Sequence, residues 1–415
     1  MSDGRAIVFV DDAIAAGFAP FAATRPLCSM RAGALSGMGR WQLALRPTTP
    51  LARHFVAADA LVDFPARWHG VTAAPAIVPA GTIVVNARAL PLLPAAASAA
   101  SPTVAMWQIG DAIAAVRLGM DVSREQLRDG LDALVQHGAV GTGAIARLEG
   151  VWLTAVWDLV ATLPTLLPGD ITALALTLGL TELAPGGGHH RTGEHPVWVH
   201  PTAIVEPSCL LDTSAGPILL EQDARVQAFT RLVGPAYIGP HSSVTTDRVA
   251  VVSLGPYCKV HGEMSNTLLA GYSNKGHDGF VGHSVLGEWV NLGAGTITSN
   301  LKNTYGTVSL WTPDGVRDTG QQFLGTLFGD HAKTGIGLRL TTGCVIGAGA
   351  NCFDAMPPKM VPPFAWGSGA PYGAHALEKF LETASRMMAR RGQSLDADGV
   401  RHWTRVHAAN ARAHG

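Results

Sequence analysis

Apolar residues recur at every sixth position through the second half of the chain. A period of six fits neither an α-helix nor a simple strand, and it is typical of a parallel β-helix in which three hexapeptides make one turn. We predict that the apolar residue of each hexapeptide points inward and that the glycine often following it allows the chain to bend. The positions predicted to point inward, which include two polar ones, are Leu220, Val226, Leu232, Ile238, Val244, Ala250, Leu254, Val260, Leu268, Asn274, Phe280, Leu286, Leu292, Phe328, Thr334, Leu340, Ile346 and Cys352. The frame breaks at residues 251–253 and 309–322, where we predict loops or wide strands.

The first half of the chain has a different pattern. The β-branched runs at residues 6–12 and 82–91 each end in polar residues, and residues 124–138 have helical spacing. Strands that alternate with helices predict an α/β domain, which we place at residues 1–184. Residues 185–196 are rich in glycine and histidine and predict a flexible linker, although His189, His190 and His195 leave a metal site open as an alternative. The β-helix then covers residues 197–368, and a helical tail, with one helix at residues 375–392, covers residues 369–415.

Composition excludes several classes of protein. Apolar residues make up 47% of the 415 residues and charged residues 15%, which excludes a disordered chain, and the net charge of −1 gives no broad nucleic-acid footprint. The five cysteines are dispersed without a CxxC pair, which favours a reducing, cytoplasmic location. Residues 89–110 carry no charge, but their three prolines argue against a membrane span. The N-terminus has no signal-peptide pattern.

Residues 272–300 hold two histidines, His277 and His283, among six glycines. Each histidine follows a predicted inward position by three residues, so neither is expected to point into the core. Being six apart, they are expected on different faces, where they could not easily share a metal ion. We therefore predict no metal in the β-helix, and an ordinary surface histidine remains an alternative for both.

The run "NKGHDGFVGHSVLGEWVNLGAGTITSN" resembles the acetyltransferase half of the bifunctional family that couples a uridyltransferase to a left-handed β-helix acetyltransferase and makes UDP-N-acetylglucosamine. The resemblance implies that His277 is the general base, that Asn291 contacts the sugar and that Asn300 is an active-site residue. Imidazole suits proton removal from an attacking amine near neutral pH. The implied left-handed β-helix, acetyl-CoA or another acyl-CoA as co-substrate, and a homotrimer come with the same resemblance.

Departures from the family pattern affect the substrate more than the chemistry. Phe280 stands where the family has tyrosine, Leu301 follows the second asparagine in place of tyrosine, and the lysine is displaced to Lys275. We expect Lys275, Phe280 and Asn291 to contact the substrate.

A coenzyme position is expected one turn after His277. If a turn takes eighteen residues, Gly295 lies there, and a position without a side chain leaves room for the pantetheine arm. We therefore expect Gly293, Ala294 and Gly295 to contact the coenzyme. His331 and Lys333 are further candidates for the coenzyme phosphate, with His331 also a rival base and a solvated turn the alternative.

The first domain resembles sugar nucleotidyltransferase-like proteins through residues 18–35 and "VNARALP". Arg25, Arg31, Asn86 and Arg88 are candidates for binding a sugar phosphate or nucleotide sugar, and Asp11 with Asp12 could hold Mg²⁺. The alternative is that the arginines pair with Asp11 or Asp12 as structural contacts. The glycine-rich loop that holds a triphosphate in active pyrophosphorylases is missing after the first strand.

The favoured function is therefore acyl-CoA-dependent N-acyl transfer to an amino sugar phosphate or a nucleotide-linked amino sugar. Two alternatives stay open: a sugar-1-phosphate nucleotidyltransferase that uses the first domain, and a non-catalytic hexapeptide scaffold with a ligand-binding head. A homotrimer with Trp289 and Trp311 partly at subunit contacts is also predicted.

Overall fold

The first apolar run of the chain forms the centre of a mixed sheet. The computed structural model describes residues 6–94, 101–184 and 186–410. Strand Ala6–Val10 is buried and pairs in parallel with Ala52–Val56 on one side and Ile83–Asn86 on the other. The seven strands of this sheet, in spatial order, are Ala144–Leu148, Val104–Ile109, Ala112–Arg117, Ile83–Asn86, Ala6–Val10, Ala52–Val56 and Thr72–Ala73. We call this domain, with its helices, the head.

Helices cover the head and end the chain. Helix α1 begins after Asp12, whose carboxylate accepts a hydrogen bond from the Ala15 backbone N–H, and α4 begins with a capping box formed by Ser123 and Gln126. The predicted helical run at residues 124–138 is present as two short helices. The helices are α1 Ala13–Ala16, α2 Gly37–Leu45, α3 Ala66–His69, α4 Arg124–Arg128, α5 Leu131–Gln136, α6 Asp158–Ala161, α7 Leu163–Thr177, α8 Leu377–Ala389 and α9 Ala397–Asn410.

Short parallel strands dominate the chain after the head. Leu254 pairs with Leu269, Leu269 with Leu286 and Leu286 with Phe328, and all four side chains lie in one buried core. This stacking of successive coils is compatible with a β-helix, and we call it the parallel ladder. Its strands are His190–Thr192, Val197–Val199, Ile204–Val205, Leu210–Asp212, Ile218–Leu220, Arg225–Val226, Thr230–Ile238, Ser243–Thr245, Asp247–Leu254, Lys259–His261, Met264–Gly271, Asn274–Lys275, Val281–Gly282, Val285–Glu288, Ile297–Thr298, Thr326–Phe328, Lys333–Thr334, Arg339–Leu340, Cys344–Ile346, Asn351–Cys352, Met360–Val361 and Ala365–Gly367.

The inward frame was predicted wrongly for part of the ladder. Ala250, Leu268, Asn274 and Phe280 do not belong to the inner core, and their neighbours Val249, Leu269 and Val281 do. The coil from Leu254 to Leu269 is 15 residues long and the next, from Leu269 to Leu286, is 17, so a fixed count of six slips by one position. Leu268 is nevertheless fully buried, because it packs against the head instead of the inner core.

The head and the ladder share a continuous apolar core. Head residue Trp41 and ladder residues Leu268 and Val285 belong to one buried cluster, and helix α7 packs against the strands Thr230–Ile238 and Asp247–Leu254. The Ser253 hydroxyl donates a hydrogen bond of 2.7 Å to the Gly33 carbonyl across this contact. One face of the ladder is therefore covered by the head.

The predicted boundaries are partly structured. Pro185, where the predicted linker begins, lies outside the described residues, but His190–Thr192 pairs in parallel with Leu210–Asp212 and so joins the ladder. The break predicted at residues 309–322 contains a hairpin of Ser309–Thr312 and Gly315–Asp318. The other predicted break, at residues 251–253, lies within a paired strand. The predicted tail holds two helices, α8 and α9, and its last residues, 411–415, lie outside the described part. Among the helices the structure describes, none has the length and apolarity to cross a membrane.

Candidate active site on the parallel ladder

His277 stands on a short turn between two ladder strands. The turn has the sequence Gly276-His277-Asp278-Gly279 and lies between Asn274–Lys275 and Val281–Gly282. Gly279 has φ +110°, and a Cβ there would lie 2.4 Å from the Thr296 carbonyl of the next coil, so this end of the turn requires glycine. His277 is exposed. Its imidazole is thus open to a substrate.

Lys275 holds the turn from inside. It occupies an inner position, paired through the ladder with Val260, and it is 1% exposed. Its ammonium donates hydrogen bonds of 2.9 Å to the carbonyls of His261 and Asp278, and a further one to the carbonyl of His277. Burial lowers the pKa of Lys275 to about 8. The side chain is therefore directed at the backbone of the turn and not outward, where substrate contact was predicted.

Replacing Lys275 by methionine should loosen the turn while still filling the inner position. Methionine keeps most of the apolar volume, but it leaves three backbone carbonyls without their shared donor. We expect acyl transfer to fall by about 10-fold or more, because a base that is no longer held in place loses the advantage of orientation. Steady-state kinetics with a thermal-melting control would measure this. Lys259→Met, which removes an exposed lysine one coil away, should keep normal turnover; equal losses in both variants would contradict the role given to Lys275.

The predicted coenzyme turn is closely packed against the next coil. Asn291 accepts a hydrogen bond of 3.1 Å from the Asn274 side chain, so the candidate sugar contact is ordered across two coils. A Cβ on Gly293 would lie 2.3 Å from the Gly335 carbonyl, and the Ala294 carbonyl accepts a bond of 2.8 Å from the Gly337 N–H. The three residues of this turn, Gly293, Ala294 and Gly295, thus lie one coil after His277, which takes 17 residues here and not the assumed 18.

Asn300 contacts the second histidine of the motif. Its amide nitrogen donates to Nδ1 of His283 over 2.8 Å, and the His283 ring stacks on Phe323 with a centroid distance of 5.3 Å. Burial lowers the pKa of His283 to about 4, so this imidazole is neutral at pH 7. A Cβ on Gly282 would meet both Phe280 and Asn300, which brings Phe280 to the same place.

The structure therefore assembles His283, Asn300 and Phe280, while no described hydrogen bond links any of them to the His277 side chain. His283 was not predicted as a functional residue, although it shares its sequence offset with His277.

His331 and Lys333 are covered by the C-terminal helices. His331 is 2% exposed and contacts Phe380 and Trp403, which contradicts the alternative of a solvated turn. Burial lowers the pKa of Lys333 to about 8, and its ammonium donates a bond of 2.9 Å to the His331 carbonyl.

His331 also ends a column of stacked rings at one corner of the ladder, which we call the aromatic corner. The rings are His241, Tyr257, Tyr272, Trp289 and His331. Because Trp289 is buried inside this column at 6% exposure, its predicted place at a subunit contact is wrong.

The head places Asn86 and Arg88 beside Asp12 at the ends of two parallel strands. The Arg88 Nε and Nη2 atoms donate to the Asp12 carboxylate over 2.9 and 2.7 Å, and the Asn86 amide adds a bond of 2.9 Å. Burial raises the pKa of Asp12, but these bonds outweigh it and leave the pKa below its usual value. Arg88 thus makes the structural pairing that was the alternative to phosphate binding.

The two aspartates do not present free carboxylates to a cation in this arrangement. Asp11 accepts the Leu27 backbone N–H, and burial raises its pKa to about 7. Asp12 is occupied by Arg88. No group of three or more His, Cys, Asp or Glu suited to a metal ion occurs within residues 6–94, 101–184 and 186–410. The residues present therefore do not fit the predicted Mg²⁺ site without a rearrangement.

Arg25 reaches across to the ladder. It is 3% exposed, and it forms ion pairs of 2.9 Å with Asp330 and 3.1 Å with Glu288. Thr24 donates a further bond of 2.6 Å to Asp330. Arg31 lies nearby, with its guanidinium 5.0 Å from the centre of the Tyr237 ring. The arginine that the sequence placed at a phosphate therefore joins the head to the ladder.

Comparison with known proteins agrees with the division of the chain. Residues 7–177 match the family model described as sugar nucleotidyl transferase. A bifunctional sugar-1-phosphate nucleotidylyltransferase/acetyltransferase of Sulfurisphaera tokodaii is 31% identical over 150 residues, which cover 33% of this chain and 35% of that protein. The chain resembles this bifunctional family.

Two further relatives carry the name bifunctional protein GlmU. The protein of Nitrosospira multiformis is 25% identical over 180 residues, covering 38% of this chain and 36% of its own length. That of Methanococcus vannielii is 32% identical over 127 residues, covering 29% and 28%. The matched part of the chain thus spans about a third of the length of these relatives. They are transferases, and at the level of the family they combine sugar nucleotidyl transfer with acetyl transfer.

Proposed function

We propose that the protein is an acyl-CoA-dependent N-acyltransferase that acts on an amino sugar phosphate or a nucleotide-linked amino sugar, with the parallel ladder forming a left-handed β-helix. The observation that carries this proposal is the turn of residues 276–279. It presents an exposed imidazole, fixes its own backbone through Lys275, and stands next to the ordered side chain of Asn291 and the side-chain-free turn at Gly293–Gly295. The acetyltransferase activity in the names of the relatives agrees with it.

The reaction can be written from these residues. His277 accepts a proton from the amine of the sugar as the amine nitrogen attacks the thioester carbonyl, forming a C–N bond. The C–S bond then breaks, and the thiolate of the coenzyme leaves and takes up a proton. The amides of Asn291 and Asn300 are suited to bind the sugar or the developing oxyanion.

The direct test is incubation of the full chain with acetyl-CoA and a panel of amino sugar phosphates. Released thiol and the mass of the product report turnover. Activity on glucosamine 1-phosphate or a related amino sugar supports the proposal. Absence of thiol release with every acceptor would overturn it and favour the non-catalytic scaffold.

A homotrimer is the assembly that fits this function. The head covers one face of the ladder, and apolar side chains remain exposed elsewhere on it, including Ile297, Ile336 and Phe353. A second copy packed there would remove this surface from water and would close the open side of the candidate site. We expect light scattering at micromolar protein to give three times the monomer mass of 43.3 kDa. A monomer would contradict both the trimer and a site shared between copies.

The match of the head to sugar nucleotidyl transferases favours a second candidate, a sugar-1-phosphate nucleotidyltransferase. Two features oppose it: the glycine-rich loop is absent, and Arg25 is held by Asp330 and Glu288. Because phosphoryl-type transfer depends on positioning and on charge stabilisation, we propose that the head binds a sugar phosphate or nucleotide sugar but turns over nucleoside triphosphates weakly or not at all.

Pyrophosphate release decides between the two candidates. We expect only background release from UTP, dTTP, GTP and CTP with several sugar 1-phosphates and Mg²⁺. Robust release that is lost in Arg88→Ala would contradict the expectation and establish a second activity in the head. His277→Ala serves as the control, since it should leave any such release unchanged.

A further inference from the structure

A cavity of about 230 Å³ lies where three parts of the chain meet. Its walls come from residues 24–38 of the head with the nearby segment of Phe64 and His69, from the aromatic corner of the ladder, and from the helices α8 and α9 with the turn between them. We call it the interface chamber. Neither His277 nor Asn300 lines it, so it is separate from the candidate acyl-transfer site.

The chamber contains one cation without an acidic partner. Arg25 is neutralised by Asp330 and Glu288, both of which also line the wall. Arg31, by contrast, forms no ion pair with any described carboxylate. Its Nη1 donates to the Ala34 carbonyl, and its buried Nε has no partner. A buried guanidinium with unused N–H groups is suited to an anionic ligand group such as a phosphate.

The remaining polar groups of the wall are neutral. Burial lowers the pKa values of His69, His331 and His402, that of His402 to about 3, so all three imidazoles are uncharged at pH 7. The Nδ1 atoms of His331 and His402 have no partner, and no described hydrogen bond involves the Tyr272 hydroxyl. Neutral imidazole and phenol groups both donate and accept, which is the pattern that sugar hydroxyl groups need.

The apolar part of the wall and the size of the chamber restrict the ligand. Met38, Leu395 and the edge of Trp289 offer surface to the C–H face of a sugar ring. The volume lies between the ~150 Å³ of a cavity that holds benzene and the ~300 Å³ at which pockets for drug-sized ligands begin. One sugar unit fits this range, whereas a nucleotide sugar does not.

We propose that the interface chamber binds a phosphorylated monosaccharide, with its phosphate on Arg31 and its hydroxyl groups on Tyr272 and the surrounding imidazoles. The inference rests on the proposed function for its substrate class, but it assigns a second binding site at a different place. Because the walls belong to the head, the ladder and the C-terminal helices, bound ligand would stabilise their contact by mass action.

The test is isothermal titration calorimetry of the full chain with glucose 1-phosphate, glucose 6-phosphate and glucosamine 1-phosphate, with glucose and inorganic phosphate as the partial ligands. We expect at least one sugar phosphate to bind at least 10-fold more tightly than either partial ligand. Arg31→Gln should weaken this binding on the order of 10- to 100-fold, as for loss of a charge-assisted hydrogen bond. Arg147→Gln, an exposed arginine of the head, is the matched control and should bind normally.

A second variant guards against loss of the fold. Ala270 lines the chamber, and Ala270→Leu should fill it and abolish binding while the protein still melts cooperatively. Titrations repeated in His277→Ala separate this inference from the acyl-transfer proposal, because binding should persist there when acyl transfer is lost. Binding that is unchanged in both Arg31→Gln and Ala270→Leu would overturn the inference. So would inorganic phosphate that binds as tightly as the sugar phosphates, or no binding at millimolar ligand.

Discussion

His277→Ala is expected to lower the rate of N-acyl transfer by about 10²- to 10⁴-fold, the usual contribution of a general base. The side chain is exposed on a turn whose backbone is held by Lys275, so its removal should leave the fold intact. We therefore expect kcat to fall while the melting temperature stays near that of the wild type. Turnover measured by thiol release, with product confirmed by mass, is the readout.

Two further histidine variants make this result specific. His137→Ala removes an exposed histidine of the head and should be fully active. His283→Ala removes the imidazole that holds Asn300 and should cause a smaller loss, since a histidine whose pKa is about 4 is a weak base at pH 7. Full activity in His277→Ala together with inactivity in His283→Ala would move the role of base to His283.

Asp330→Ala is expected to lower the free energy of unfolding by about 3–5 kcal/mol, the usual effect of removing one partner from a buried ion pair. Arg25 and Asp330 are almost fully buried, and the variant would leave the guanidinium with Glu288 alone. Urea unfolding at pH 7, followed by far-ultraviolet circular dichroism, measures the change.

The control for this result is an ion pair of the same type at the surface. Asp59, which is 92% exposed, pairs with Arg128, and Asp59→Ala should change stability by only about 0–1 kcal/mol. A similar small change in both variants would show that the contact between the head and the ladder does not depend on the Arg25 ion pairs.

Part of the fold follows from local patterns in the sequence. The period of six predicted the paired inner positions, because each coil repeats the same short contacts. The prediction slipped after Leu254, where the coils shorten and lengthen by one or two residues. Leu268 is apolar because it meets the head, and a periodic pattern does not distinguish an inner face from a covered outer face.

The candidate site was predictable only in part for a related reason. His277 was found through the motif that surrounds it, and its exposure agrees with the interpretation. The positions of Lys275 and Arg25 depend on partners that no local pattern reveals. Lys275 contacts carbonyl groups, which every residue carries, and Arg25 pairs with an aspartate 305 residues further along the chain.

The distance in sequence between Arg25 and Asp330 also has a consequence for how the protein is made. At ribosomal rates of about 5–20 residues per second, Asp330 follows Arg25 by on the order of 15–60 s. During that interval the nascent head carries a cation without its carboxylate and an apolar surface without the ladder residues that later cover it, such as Leu268 and Val285. The head is thus completed late in translation, and cellular chaperones that bind exposed apolar surface have time to act on the growing chain.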